Sequence, residues 1–311
     1  MTFAGCSNSA QKTTAEAPKS ELSVMAIKSD KDLPTSDIFK SEKIADNIVR
    51  IHGMAGELMY LVEGTDKAAL IDTGSGAGNL REYVEKITSK PILVLLTHGH
   101  VDHASGAADF DEVYMNHADD AVYTEHNDLS VRKGYIESQN KDGFAKLKET
   151  DYVKQKPASD YKDLKDEVEF NLGGTTLVAY NAAGHTPGMM AILFKEQRIL
   201  MTGDAANQAT FLFDKYTLGI TSYEKSMKDL LSKTDGKFDK IFLSHGSGDA
   251  PKELLANIIQ LCEDIKAGKV DDVPFEFMGQ KAYIAKKVND QFDRADGGFG
   301  NIVYAKEKVN Q

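Results

Sequence analysis

The chain reads as an α/β fold. Two observations lead there. Short apolar runs that suit strands alternate with helical patterns from about residue 37 onward. Four of those runs end in a histidine or aspartate followed by a glycine or another loop former. Strands are predicted over 47–52, 57–63, 67–71, 92–97, 112–115, 168–171, 175–180, 190–195, 198–202 and 240–244, and helices over 79–88, 118–149, 222–233 and 251–266. The order gives two β-rich halves, each with helices of its own, which suits an αβ/βα sandwich.

The densest chemistry lies in Thr97-His98-Gly99-His100-Val101-Asp102-His103, after the apolar run Ile92 to Leu96. In an extended segment, residues two apart point the same way, so His98 and His100 can reach one metal ion together. A turn after His100 would swing Asp102 and His103 toward a second ion. Imidazole nitrogens mixed with carboxylate oxygens suit zinc, iron or manganese better than calcium or magnesium. Two such ions need about six protein ligands. Three further candidates end apolar runs: His185 in Gly184-His185-Thr186-Pro187-Gly188, Asp204 in Thr202-Gly203-Asp204, and His245 in Ser244-His245-Gly246.

With these elements in view, the chain resembles the metallo-β-lactamase superfamily over about residues 44 to 265. The likeness rests on His98-x-His100-x-Asp102-His103, Gly184-His185, Gly203-Asp204 and Ser244-His245-Gly246, preceded by Ala69-Leu70-Ile71-Asp72-Thr73-Gly74. The resemblance implies a four-layer αβ/βα sandwich. It assigns one ion to His98, His100 and His185, a second to Asp102, His103 and His245, and a bridging role to Asp204. Zinc is the expected metal, with iron and manganese as alternatives. Asp72 is expected to orient a ligand histidine. The aspartate at 204 is typical of the thioesterases, lactonases and phosphodiesterases of the family, not of its true β-lactamases. His100 stands where the flavo-diiron oxygen reductases carry glutamate.

The implied reaction is attack by a metal-bridging hydroxide on an acyl bond (a thioester, lactone or ester) of a small molecule, with Asp102 and Asp204 as catalytic carboxylates. A small-molecule phosphodiesterase is the first alternative and a β-lactam hydrolase the second. A non-catalytic metal-binding protein on the same fold is the least favoured. Met54, Tyr216 and Tyr223 are candidate substrate or oxyanion contacts, with packing as the alternative reading. His117 and His126, in an acidic stretch, read as surface or helix-start residues.

Other classes fall away. The glycine-rich Gly74 to Gly78 lacks the Gly-Lys-Ser/Thr of a nucleotide loop and reads as a tight strand-to-helix turn. No Gly-x-Ser-x-Gly elbow marks a serine hydrolase. A net charge of −11 and a pI near 5.3, without a basic stripe, disfavour a nucleic-acid partner.

Residues 37–311 are expected to form one domain. Residues 117–165 are read as a helical insertion packed over the site, and 270–311 as a strand-ended extension that either walls the pocket or only closes the core. Residues 1–36 read as a flexible tether. Phe3-Ala4-Gly5-Cys6-Ser7-Asn8 resembles the end of a bacterial lipobox, so Cys6 is a candidate lipid attachment point and the cell envelope the expected location. No charged and apolar segments precede Cys6, which leaves a cytoplasmic location as the alternative. A disulfide between Cys6 and Cys262 is not expected.

Overall fold

The computed structural model describes residues 32–311, so Cys6 and most of the tether lie outside the described residues. The first half builds one seven-stranded sheet. Its strands, in spatial and chain order, are β1 (Lys40–Ala45), β2 (Ile48–His52), β3 (Leu58–Glu63), β4 (Ala68–Ile71), β5 (Ile92–Leu95), β6 (Val113–Met115) and β7 (Lys162–Asp163). The first four strands pair antiparallel, whereas β4–β5, β5–β6 and β6–β7 are parallel. Parallel neighbours need crossover connections. Helix α1 (Leu80–Glu85) lies in the first, α2 (Val101–Ala104) in the second, and α3 (Asp120–His126), α4 (Leu129–Gln139) and α5 (Lys141–Phe144) in the third. The charged stretch 117–165 is thus an enlarged crossover between β6 and β7.

The second half builds a sheet of β8 (Glu169–Asn171), β9 (Thr176–Asn181), β10 (Met190–Phe194), β11 (Ile199–Met201), β13 (Lys240–Phe242) and β14 (Asp249–Pro251). Strands β11 and β13 run parallel, with α6 (Ile220–Thr234) in their crossover; α7 (Leu254–Lys266) follows β14. Alternation along the strands creates the layers. In β9, Leu177 and Ala179 join Tyr60, Ile71 and Leu95 in the core between the two sheets. Val178 and Tyr180 face the other way and pack with Ile220, Met227 and Leu255 of α6 and α7. In β3, Met59 and Leu61 likewise turn outward, toward Leu80, Tyr83 and Val84 of α1. Helix, sheet, sheet, helix is the resulting αβ/βα sandwich.

Three features depart from the sequence reading. The helix expected over 118–149 is three helices. Asp128 and Asn140 each place a side-chain oxygen on a downstream backbone N–H, at Ser130 (2.8 Å) and Gly143 (2.9 Å), and so restart the chain there. Strands β1, β7 and β14 lie at or near sheet edges, where short or polar runs carry little periodic signal. A third sheet combines β12 (Thr210–Leu212) with β15 (Val273–Phe277), β16 (Gln280–Ile284) and β17 (Ile302–Tyr304). Here β12, in the loop after Asp204, pairs in parallel with β17 at the far end of the chain, a pairing that no local pattern announces. No described helix is long and apolar enough to cross a membrane.

Candidate metal centre

Strands β4, β5, β9, β11 and β13 deliver the site from their C-terminal ends. Asp72 follows β4, His98 and His100 follow β5, His185 follows β9, Asp204 follows β11 and His245 follows β13. His100 is extended (φ −69°, ψ 162°) and caps α2, whose first turn then carries Asp102 and His103. One loop thereby supplies four ligand-type side chains.

The structure brings all seven candidates together in three overlapping groups: His98 with His100 and His185; His98 with His103 and Asp204; and Asp102 with His103 and His245. Asp204 Oδ2 lies 3.6 Å from His185 Nε2, 3.4 Å from His103 Nε2 and 3.3 Å from His245 Nε2, so a single oxygen faces nitrogens of both expected sets. Asp102 Oδ2 lies 3.6 Å from His103 Nε2 and 3.5 Å from His245 Nε2. His98 Nε2 and His100 Nδ1 are 3.1 Å apart. Two nitrogens bound at about 2.0–2.1 Å to one tetrahedral ion stand about 3.3–3.4 Å apart. These separations therefore match co-ligands of a shared ion better than strong direct hydrogen bonds. Among the described residues, His100 Nε2, His103 Nε2 and His185 Nε2 are buried without a hydrogen-bond partner, which leaves the inner nitrogens of His103 and His185 open to a ligand from outside the protein. The donor set and these orphaned atoms fit divalent metal ions.

The outer nitrogens are held in place. The His103 Nδ1–H donates to Asp72 Oδ2 (2.8 Å), and the Asp72 carboxylate also accepts from the Thr97 backbone N–H (2.7 Å) and hydroxyl (2.8 Å). The Thr97 oxygen in turn lies 3.0 Å from His98 Nδ1. Asp72 adopts φ +63°, a left-handed backbone uncommon outside glycine, which aims its carboxylate under the ligand loop. The His185 Nδ1–H donates to the Phe211 carbonyl (2.8 Å). Each contact fixes a tautomer whose inner nitrogen is bare.

Charge is distributed unevenly. Burial, reinforced by neighbouring imidazoles, holds His98 and His100 well below the usual histidine range, so both are neutral and ligand-competent. Burial opposes charge on His103 and His245 as well. There the facing carboxylates win: Asp102, Asp72 and Asp204 raise His103 well above its usual value, and Asp204 and Asp102 push His245 up to about 9. Burial also opposes ionisation of Asp204, but His245 and His103 outweigh it and hold that carboxyl well below the usual range.

Several residues sit elsewhere than the sequence suggested. Tyr223 is fully buried in α6, with its hydroxyl on the Ala205 carbonyl. Its ring lies under Gly184, where a Cβ would come within 2.2 Å of it, so it supports the His185 loop and does not reach an oxyanion. Tyr216 donates to Glu125 (2.7 Å) and does not line the cavity, although its ring stands 6.2 Å from that of His126. Met54 packs with Ile136, Phe144 and Leu147 of the enlarged crossover and does not line the cavity. His117 pairs with Asp120 at a half-exposed helix start. His126, by contrast, is no surface residue: its ring stacks on His100, with centroids 4.5 Å apart, and lines the cavity.

Two functional residues gave no sequence signal. The Tyr135 hydroxyl, from α4, donates to Asp102 Oδ2 (2.7 Å). Asp119, fully buried, accepts from the Gly99 N–H (2.9 Å), the Thr186 hydroxyl (2.7 Å) and the Gly188 N–H (2.6 Å). It ties the His98–His100 loop to the His185 loop. The glycine run is a tight turn, with φ of +67°, +69° and +75° at Gly74, Gly76 and Gly78; the buried Arg132 guanidinium pins it by donating to the Gly76 carbonyl (2.6 Å).

The sequence model of the Metallo-beta-lactamase superfamily matches residues 54–245. The chain belongs to this superfamily and is a metal-dependent hydrolase. Among curated relatives, it is similar to the human Acyl-coenzyme A thioesterase MBLAC2, 24% identical over 200 residues that span 60% of this chain and 72% of that protein. It is also similar to the Probable metallo-hydrolase YqgX of Bacillus subtilis (strain 168), 25% identical over 149 residues, 48% of this chain and 65% of that protein. Of solved structures, the Metallo-beta-lactamase from Pontibacter korlensis aligns with a TM-score of 0.52 at 18% identity, covering 71% of this chain and 99% of that one. The stereoselective inverting sec-alkylsulfatase Pisa1 from Pseudomonas sp. aligns with a TM-score of 0.61 at 17% identity over 88% of this chain and 49% of that one. At these identities the structural matches speak for the fold alone.

Proposed function

We propose that the chain is a dinuclear zinc hydrolase that cleaves an acyl bond, a thioester, lactone or ester, of a small molecule. The observation that carries the two-ion reading is Asp204 Oδ2, within 3.6 Å of imidazole nitrogens from both clusters. Similarity to an acyl-coenzyme A thioesterase supports the acyl bond. His98, His100 and His185 would hold one ion, Asp102, His103 and His245 the other, and Asp204 both. Bound there, such ions lower the pKa of water toward neutrality and polarise a carbonyl oxygen. The protein's own groups do the rest. Asp204, kept ionised by His245 and His103, sets the spacing of the two clusters. Asp102 takes the Tyr135 hydroxyl on the oxygen that faces His103 and His245, so Tyr135 fixes the carboxylate that would orient or shuttle the proton. His126, stacked on His100, covers one side of the first cluster.

The test is a hydrolysis panel of a thioester, a lactone, a β-lactam and an activated phosphodiester, run with zinc-loaded protein beside His98→Ala. Acyl cleavage that vanishes in the variant, with about two zinc ions per chain in the wild type, is the expected result. Cleavage of the phosphodiester alone would overturn the acyl reading. A single tightly bound ion at full activity would overturn the dinuclear one. Membrane attachment belongs to the same proposal, supported by the lipobox-like residues around Cys6. In its own cell the full-length product should sediment with membranes and Cys6→Ser should be released; a soluble wild-type product rejects the anchor.

A further inference from the structure

One cavity of about 640 Å³ opens onto the metal centre, with His100, Asp102, His185, Asp204 and His245 on its floor. Its opposite wall is aromatic. Phe211 and Phe213 come from β12 and the residues after it, Phe275 and Phe277 from β15, and Phe292 and Met278 from the chain that follows. The rings form one connected patch, with Phe211 centroids 5.2 Å from Phe213, 5.8 Å from Phe275 and 5.3 Å from Phe277, and Phe275 6.0 Å from Phe292.

Two further facts bear on what fills this space. Among the described residues the large hydrophobic side chains left exposed are Val131, Met278 and Phe292, and all three line this cavity. Exposed apolar side chains scattered singly mean little, but their confinement to one concave surface marks a place where something apolar binds. The second fact is charge. Among the described residues no lysine or arginine lines the cavity, whereas Asp214 and Glu276 join the two site carboxylates there. Nearby Lys215 is paired with Glu125. An anionic group lodged against the aromatic wall would find no cation and two carboxylates.

We infer that the non-reacting part of the substrate is an uncharged apolar group, an acyl chain of medium length or an aromatic ring, seated against this phenylalanine wall. The inference rests on the acyl-hydrolase reading above and adds its specificity. The reacting carbonyl lies at the metal centre, and the apolar group reaches toward β15 and Phe292, where its burial supplies the binding energy.

The experiment uses the zinc-loaded full chain and p-nitrophenyl esters from acetate to octanoate, together with the p-nitrophenyl monoester of suberic acid, which matches the octanoate in length but ends in a carboxylate. A readout free of turnover runs beside it: calorimetric binding of 2-butanone and 2-octanone. The expected result is a rise in kcat/KM of about two- to four-fold per added methylene, with suberate at least about ten-fold below octanoate. Binding of 2-octanone should exceed that of 2-butanone in the same sense. Met278→Asp and Phe292→Asp, both at exposed positions that tolerate a charge in the fold, should each lower the octanoate-to-acetate ratio by about ten-fold. A flat series, or a preference for suberate, overturns the inference. So does a concentration-dependent dimer that Met278→Asp breaks while the series stays flat, which would give the aromatic face to a second copy of the chain. If no ester is cleaved yet 2-octanone still binds better than 2-butanone, the acyl reading fails and the apolar subsite stands.

Discussion

The two ligand clusters are built to different standards of enclosure. His98, His100 and His185 are all buried, and two of them are fixed from behind by Thr97 and the Phe211 carbonyl. In the other cluster, Asp102 and His103 are buried, but the His245 side chain remains 33% exposed on a loop whose turns at Gly246 and Gly248 need positive φ (+66° and +77°). A closed set of ligands suits an ion that stays; an open one suits the ion that meets substrate. In the enclosed cluster burial holds His98 and His100 well below the usual histidine range, whereas the open cluster gathers Asp102, Asp204 and Asp72 around His103. The difference teaches that two groups of ligand-type side chains meeting at a single shared carboxylate can differ in enclosure.

The sharpest way to break this contrast is Asp204→Ala, which removes the shared oxygen. Turnover should fall by about 10³-fold, with metal content dropping in both clusters when measured by elemental analysis after dialysis. Loss of one ion only would deny Asp204 its bridging place. Stepwise chelation comes next in size. Activity should disappear as the first of two ions leaves, and the ion that remains should be the one retained by His245→Ala but not by His185→Ala. Simultaneous loss of both ions would erase the distinction between the clusters.

Asp72→Asn probes chiefly the open cluster, because Asp72 holds His103 directly and reaches His98 only through the Thr97 hydroxyl. Asparagine tolerates the left-handed backbone that Asp72 adopts, so the fold should survive while affinity for one ion drops by about 10- to 100-fold. Equal weakening of both ions would place Asp72's effect in the loop as a whole. Asp119→Asn probes the enclosed cluster, because this carboxylate joins Gly99 to Gly188. Its melting temperature should fall by about 2–8 °C, since an amide cannot accept all three donors with its NH₂ end. An unchanged melting temperature would mean the two loops hold together without it. The smallest effect is expected from Tyr135→Phe, a loss of about 10-fold or less in kcat with metal content intact; lost metal would recast Tyr135 as a structural support of Asp102.

Legibility from sequence followed how local each feature is. His98 to His103 is readable because four ligand-type residues share one loop, and continuous apolar runs make β9 and β3 plain. His185, Asp204 and His245 were legible through the repeated ending of an apolar run in a ligand and a glycine. Tyr135 and Asp119 were not, because a tyrosine in a helix and an aspartate at a helix start look like any others until the crossover folds back over α2. His126 was misplaced for the same reason: its polar neighbours Glu125, Asn127 and Asp128 suggested surface, yet the end of α3 turns it onto His100. The β12–β17 pairing joins residues some ninety positions apart and leaves no local trace.

Phe211 has a particular consequence for how this enzyme can change. Its backbone carbonyl steadies His185, and its ring forms the cavity wall. Because a substitution there alters the ring and leaves the carbonyl, selection can reshape what enters the cavity without disturbing the ligand behind it. The same junction offers a handle for inhibitors. A compound that joins a metal-seeking head to an aromatic tail would span both ends of this one residue, and resistance that trims the tail's contacts would still leave the head its anchor.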